Sequence, residues 1–203
     1  MEMDNRILMN EYTGKWKHFI TENQDKYQIF CDLDGVLVDL LAGVNDAIYG
    51  EPPKNSSSRY KKSQNKAREA LAGGKLSEED LNKQSDQFKK PVREFMYRVM
   101  TDDRHFWMNL PWQPEGRKFW DYIKKYNPII LSRPTDLQSL IGKKKWVKDN
   151  LGLTGDKVQI RYNKSPYASY KGKVGILIDD FESNVSKFQA AGGRTILYKS
   201  ESQ

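Results

Sequence analysis

The sequence predicts an α/β protein: a three-layer core around a parallel sheet, with a helical cap inserted after the first strand. Residues 129–131 form a short continuous apolar run, the pattern of a strand covered on both faces, and further strands are read at 27–31, 158–161, 174–178 and 195–198. Helical patterns separate most of them, which is the order of βαβ units and a parallel sheet. One interval is much longer than the rest. Residues 40–110 stand between the first and second strands and are largely helical in pattern.

Taken in order, residues 1–26 are polar with scattered rings at Tyr12, Trp16 and Phe19, and read as an arm or short helix. Tyr27 to Cys31 is the first strand. From Val38 to Tyr49, the apolar residues Leu40, Leu41, Val44, Ala47 and Ile48 follow helical spacing. Gly50 to Ser58 is a mobile loop rich in Pro, Asn and Ser. Ser77-Glu78-Glu79-Asp80 reads as a helix start, with Asp80 closing a capping box on Ser77. Pro91 with Val92, Phe95, Met96 and Val99 gives an amphipathic helix that has its proline in the first turn. Pro114 to Lys125 is helical and stops at Asn127-Pro128, before a strand at Ile129 to Leu131. A helix from Asp136 to Asn150 closes at Gly152. The remaining elements are a strand at Val158 to Arg161, another at Val174 to Ile178, a helix at Phe181 to Ala191 and a strand at Thr195 to Tyr198. The organisation is therefore an arm over 1–26, a core over 27–39 and 111–203, and a cap over 40–110.

Composition narrows the function classes. No stretch approaches the ~18–20 consecutive apolar residues of a membrane span, so no membrane partner is expected. Glu2, Asp4 and Arg6 precede any apolar run, which does not read as a secretory signal. A single cysteine, Cys31, excludes an internal disulfide and fits a reducing cytoplasm. Cys31 reads as a small apolar filler on its strand. With one cysteine and only His18 and His105, a Cys/His zinc site is excluded. The net charge is +7. Ser56 to Met100 holds eleven Lys or Arg against six Asp or Glu, a net +5 that favours an anionic partner such as a phosphate ester, a nucleotide or nucleic acid.

The chemistry concentrates where strands end. Ile29-Phe30-Cys31-Asp32-Leu33-Asp34-Gly35 closes an apolar run with two carboxylates spaced two apart. In an extended segment those two share a face, so Asp32 and Asp34 project together. Carboxylates so close repel unless one is protonated or a cation sits between them. Hard oxygen donors suit Mg²⁺. Ligands of parallel α/β sheets gather at the carboxyl ends of the strands. The polar residues placed there are Asp32 and Asp34, Ser132 and Arg133, Asn163 and Lys164, and Asp179 and Asp180. Carboxylates, a hydroxyl and one or two cations form the set that metal-assisted phosphoryl transfer requires. By contrast, Gly73-Gly74-Lys75-Leu76-Ser77 lacks both the phosphate-loop frame and an upstream strand, which rejects a nucleotide kinase. The rings of Phe106 to Trp112 read as a packed hinge between cap and core, or as a stacking surface for a base.

These segments carry a family resemblance. Asp32-Leu33-Asp34-Gly35-Val36 resembles the first motif of the haloacid dehalogenase (HAD) superfamily of phosphatases. Leu131-Ser132 resembles the second motif, and Ile176-Leu177-Ile178-Asp179-Asp180 the fourth. The resemblance covers residues 27–198 and implies a HAD-type Rossmannoid core. It implies Asp32 as the nucleophile that forms an aspartyl-phosphate, and Asp34 as the acid/base. Ser132 would hold a phosphoryl oxygen. Mg²⁺ would be held by Asp32, Asp179 and the backbone carbonyl of Asp34, with Asp180 and Asn184 standing behind in support. The third motif is a lysine. Lys164 in Arg161-Tyr162-Asn163-Lys164 resembles the Arg-x-x-Lys pattern of some deoxynucleotidase-like members and is preferred, with Lys171 and Lys173 as alternatives. Arg133 joins Ser132 and Lys164 in the expected phosphate pocket.

Within the superfamily, the cap position, Leu110-Pro111-Trp112 and the Asp179-Asp180 pair look most like the 5'-(deoxy)nucleotidase-like branch. That branch includes compact members carried by bacteriophages, and this chain has the same look, which would place it in a host cytoplasm. The expected function is a Mg²⁺-dependent 5'-nucleotidase on small nucleoside monophosphates. The alternatives are a 3'-phosphatase on nucleic-acid ends, suggested by the basic insertion, and a non-catalytic nucleic-acid-binding protein on a HAD-like scaffold.

Overall fold

The computed structural model describes residues 25–77, 80 and 86–199. The arm expected over residues 1–26 lies, but for its last two residues, outside the described residues. In chain order the elements are β1 (Tyr27–Cys31), α1 (Leu40–Tyr49), α2 (Ser58–Leu71), α3 (Asp86–Asp102), α4 (Arg104–Met108), α5 (Gly116–Ile123), β2 (Ile129–Ser132), α6 (Leu137–Leu151), β3 (Val158–Ile160), β4 (Ser169–Tyr170), β5 (Lys173–Asp179), α7 (Glu182–Ala190) and β6 (Arg194–Leu197). They fall into two compact units. One holds the described residues up to Asp39, Trp112–Pro134 and those from Leu151 on; the other holds Leu40–Pro111 and Thr135–Asn150.

The first unit is built on the parallel sheet. Its order is β3-β2-β1-β5, with β6 parallel to β5 as well. After β1 the chain fills one side with β2 and β3, then crosses to the other side for β5 and β6. The direction of winding therefore reverses at β1, and the crevice for a ligand opens at such a reversal, outside the carboxyl ends of the strands. Register brings those ends level: Cys31 stands opposite Ile130 on one neighbour and Ile178 on the other. One face of the sheet buries Phe30, Ile129, Leu131, Leu177 and Phe188, with Tyr167 and Tyr170 edge-on to Phe30. A two-residue strand that the sequence reading lacked, β4, runs antiparallel to the start of β5. Lys171 and Gly172 turn the chain there, both with positive φ.

The second unit is helical. Tyr60, Gln64, Ala67 and Leu71 are the buried face of α2, and Tyr60 packs edge-on to Phe95 of α3 at 5.3 Å. Val92, Phe95 and Val99 line α3 as expected, but the helix starts earlier than the sequence suggested, so Pro91 lies inside it. The proline ring leaves that position without a backbone donor for the helix ladder. Helix α6, expected to belong to the core, clusters with this unit instead. The reason is its buried face. The Trp146 indole donates to the Leu110 carbonyl at 2.8 Å, and the fully buried Lys143 ammonium sits 4.8 Å from the Trp107 ring centre.

Candidate active site

The expected strand-end residues that converge do so within the first unit. Asp32 leaves β1 with its backbone N–H still bonded to the Ile178 carbonyl at 2.8 Å, so it stays attached to β5. Its Oδ1 accepts from the Leu33 N–H at 2.7 Å, and its Oδ2 pairs with Lys164 Nζ at 2.7 Å. Both oxygens are thus held, and the carboxylate is confined to one orientation. Beyond it the chain folds back, with the Leu37 and Val38 N–H groups both donating to the Leu33 carbonyl at 2.9 Å. This tight loop carries the half-buried Asp34.

Lys164 is the hub. It is buried, and its ammonium bridges Asp32 and Asp179, the latter at 2.6 Å. Burial opposes its charge, yet the two carboxylates outweigh burial and hold its pKa above the ordinary lysine value. The two rival lysines do not reach the cluster. Lys171 sits on the β4–β5 hairpin against Asp156, and Lys173 begins β5 at the end opposite Asp179.

Asp179 is fully buried and saturated with donors. Besides Lys164, it accepts from the Phe181 N–H at 2.9 Å and from the Asn184 amide at 3.1 Å to each oxygen. Asn184 is thus bonded to the Asp179 carboxylate. Asp180 lies close to both Asp32 and Asp179. The carboxylates of Asp32, Asp179 and Asp180 offer oxygens within 4.8 Å of one another. Asp180 also lies against the backbone of Gly35, where a Cβ would stand 1.9 Å from its Oδ2. Burial, reinforced by Asp32 and Asp179, pushes its pKa up to about 7. Asp179 is thus met by the protein's own donors, while Asp180 stands in the same carboxylate cluster.

Ser132 is fully buried at the end of β2, and the exposed Arg133 follows it. The Arg161 N–H bonds the Ser132 carbonyl at 2.8 Å, which ties the loop carrying Lys164 to the site. Cys31 is buried, with its thiol donating to the Asp32 carbonyl at 3.2 Å. Burial pushes its pKa well up, so it is a filler and not a nucleophile. Trp107, among the rings of Phe106 to Trp112, is buried with its indole donating to the Met100 carbonyl, so it is a packing residue. The ring of Trp112 carries the Arg117 guanidinium at 5.0 Å.

No protein-family model matches the chain, and the search of curated proteins finds no relative. Solved structures of similar shape do exist. A hydrolase from Streptococcus pneumoniae aligns at 16% identity and a TM-score of 0.48, over 86% of this chain and 94% of its own. A HAD hydrolase from Entamoeba histolytica aligns at 14% and 0.44, over 83% and 82%. A HAD family enzyme from Bacteroides thetaiotaomicron, solved with magnesium and inorganic phosphate, aligns at 17% and 0.42, over 87% and 95%. At such identities and scores the functional reading rests on the site's own geometry.

Proposed function

We propose that the chain is a Mg²⁺-dependent phosphomonoester hydrolase of the HAD type that works through an aspartyl-phosphate on Asp32, with nucleoside 5'-monophosphates as its substrates. The observation that carries this reading is the charge balance around Lys164. One buried ammonium faces Asp32 and Asp179, with Asp180 in the same cluster and Asp34 near enough to raise the pKa of Asp180. Carboxylates in excess inside a protein need a cation or a proton. The residues fit Mg²⁺: every donor is a hard oxygen, and Gly35 leaves the space that Asp180 fills. Asp32 and Asp180 would hold the ion with the backbone carbonyl of Asp34, while Asp179 orients Lys164. When bound, the ion offsets charge on the phosphoryl oxygens.

The chain's own residues supply the rest. The Asp32 carboxylate attacks phosphorus, so an Asp32 O–P bond forms as the bond to the leaving oxygen breaks. Asp34 gives that oxygen its proton. Water then attacks phosphorus while Asp34 takes its proton back, and the acyl-phosphate O–P bond breaks to restore Asp32 and release inorganic phosphate. Ser132 and Lys164 bind the phosphoryl oxygens that do not react.

A phosphate-release screen tests this across nucleoside monophosphates, sugar phosphates and 3'-phosphorylated oligonucleotides, with and without Mg²⁺. Release from the nucleotides only in the presence of Mg²⁺ supports the reading. Release from no substrate, or full release after exhaustive chelation, contradicts it. One observation favours the nucleic-acid-end alternative: Arg59, Lys62 and Lys66 are all exposed on α2, at positions that share one helical face. Oligonucleotide binding that weakens steeply with salt, and less steeply once Lys61, Lys62 and Lys66 are neutralised, would select that alternative.

A further inference from the structure

We propose that Tyr162 and Phe181 form an aromatic rim that stacks on the base of the nucleoside monophosphate, which makes them the specificity-determining pair of the site. The inference rests on the phosphatase reading above and adds which part of the substrate is recognised, and by what. In the first unit, the large apolar side chains left exposed are Tyr162 at 66%, Phe181 at 61% and Val174 at 38%, among the described residues. Val174 is on β5 at the end away from Asp179. The two rings are at the other end, on the loops that build the site.

Their backbones are pinned to it. Arg161, next to Tyr162, donates its N–H to the Ser132 carbonyl at 2.8 Å. Lys164, two residues after Tyr162, reaches Asp32 and Asp179 at 2.7 and 2.6 Å. Phe181 gives its own N–H to Asp179 Oδ1 at 2.9 Å and opens α7. Each ring thus projects into solvent from a main chain that is bonded into the cluster or lies within two residues of it. Tyr162 stands on the β2–β3 side and Phe181 on the β5 side.

Flat apolar faces beside a phosphate site match a substrate that carries phosphate at one end and a planar ring at the other. A sugar phosphate without a base offers no π-face to stack on those rings. Stacking accepts any base, because every base offers a π-face. The rim therefore selects for the presence of a base more than for its identity.

The test uses the full chain with Asp32→Asn, which holds substrate without turning it over, in the presence of Mg²⁺. Calorimetric titration compares the four deoxynucleoside 5'-monophosphates with 2-deoxyribose 5-phosphate. At least one nucleotide should bind about tenfold more tightly than the sugar phosphate. Adding Tyr162→Ala and Phe181→Ala should shrink that gap to about twofold or less, with sugar-phosphate binding unchanged. Tyr162→Phe with Phe181→Tyr keeps flat rings and should preserve the gap. Sugar-phosphate binding with no gap in the parent, or a gap that survives the double alanine variant, overturns the rim and leaves the phosphatase reading intact. Binding of neither class overturns both. A gap lost together with self-association, seen by size-exclusion chromatography, would assign the rings to a second copy of the chain and overturn the proposal.

Discussion

Gly35 and Asp180 constrain each other at the residue scale. Gly35 has φ +70°, and its missing Cβ is the space that the Asp180 carboxylate occupies. Gly35→Ala should strain the loop by about 1–2 kcal/mol and push Asp180 aside. The expected result is a fall in melting temperature with at least a tenfold rise in the Mg²⁺ concentration for half-maximal activity. A normal Mg²⁺ requirement in the folded variant would break the link between the two residues. Asp180 also sets a pH dependence. Its pKa is raised from 3.8 to about 7, so the stability it contributes is complete below the ordinary carboxylate range and is lost as pH rises through about 7. The metal-free protein should therefore weaken across that window, and Mg²⁺ should raise the melting temperature more at about pH 8 than at about pH 5.5. Asp180→Asn should flatten the metal-free profile, and thermal melts of both proteins across pH check it. Asp32, Ser132, Lys164 and Asp179 could be named from the strand-end rule, because polar residues after apolar runs mark the carboxyl edge. The ordering of Asp179 and Asp180 could not. Adjacent residues point to opposite faces, and only the donors from Lys164, Phe181 and Asn184 reveal which of the two is already occupied.

At the scale of elements, the helices depend on their ends. The capping box read at Ser77 and Asp80 forms in both directions: the Asp80 N–H donates to Ser77 Oγ at 3.1 Å, and the Ser77 N–H to Asp80 Oδ2 at 3.0 Å. The carboxyl end of α1 is closed from outside. Gln64 and Arg68 of α2 donate to the carbonyls of Ala47, Ile48 and Gly50. Arg68→Ala should cost about 1–3 kcal/mol by removing the side-chain donor to the Ile48 carbonyl, while Gly50 keeps its bond from Gln64. Amide exchange should speed up across α1 and α2 while the parallel sheet keeps its protection. Equal loss of protection in the sheet would mean that the two units do not open separately. Helix α2 itself was missed in the sequence. Two of its four buried positions, Gln64 and Ala67, are polar or small, so the apolar stripe that marks an amphipathic helix is broken. Its visible start signal is Ser57, whose hydroxyl accepts from the Tyr60 N–H at 3.1 Å. The two-residue β4 gives no pattern at all, since period-two alternation needs a longer run.

For the molecule as a whole, the α/β class and the parallel sheet were legible because the apolar stretches at Ile129 to Leu131 and Val174 to Ile178 alternate with helical patterns. The grouping of α6 with the helical unit was not, since it depends on which way Trp146 and Lys143 face, and their spacing alone leaves that open. Among the described residues, no helix is long and apolar enough to cross a membrane. The surplus of positive charge coexists with a site rich in carboxylates, a combination suited to drawing in a phosphate ester while keeping a cation bound. Everything proposed for the site depends on Asp32 becoming phosphorylated in turnover. The direct measurement is peptide mass spectrometry of protein quenched in acid during turnover of a nucleoside monophosphate with Mg²⁺, alongside a folded Asp32→Asn control. A phosphoryl adduct on the peptide that contains Asp32, formed only with Mg²⁺ and missing from the control, is the expected result. Phosphate release that continues in the folded Asp32→Asn protein, or an adduct on another residue, would contradict the mechanism.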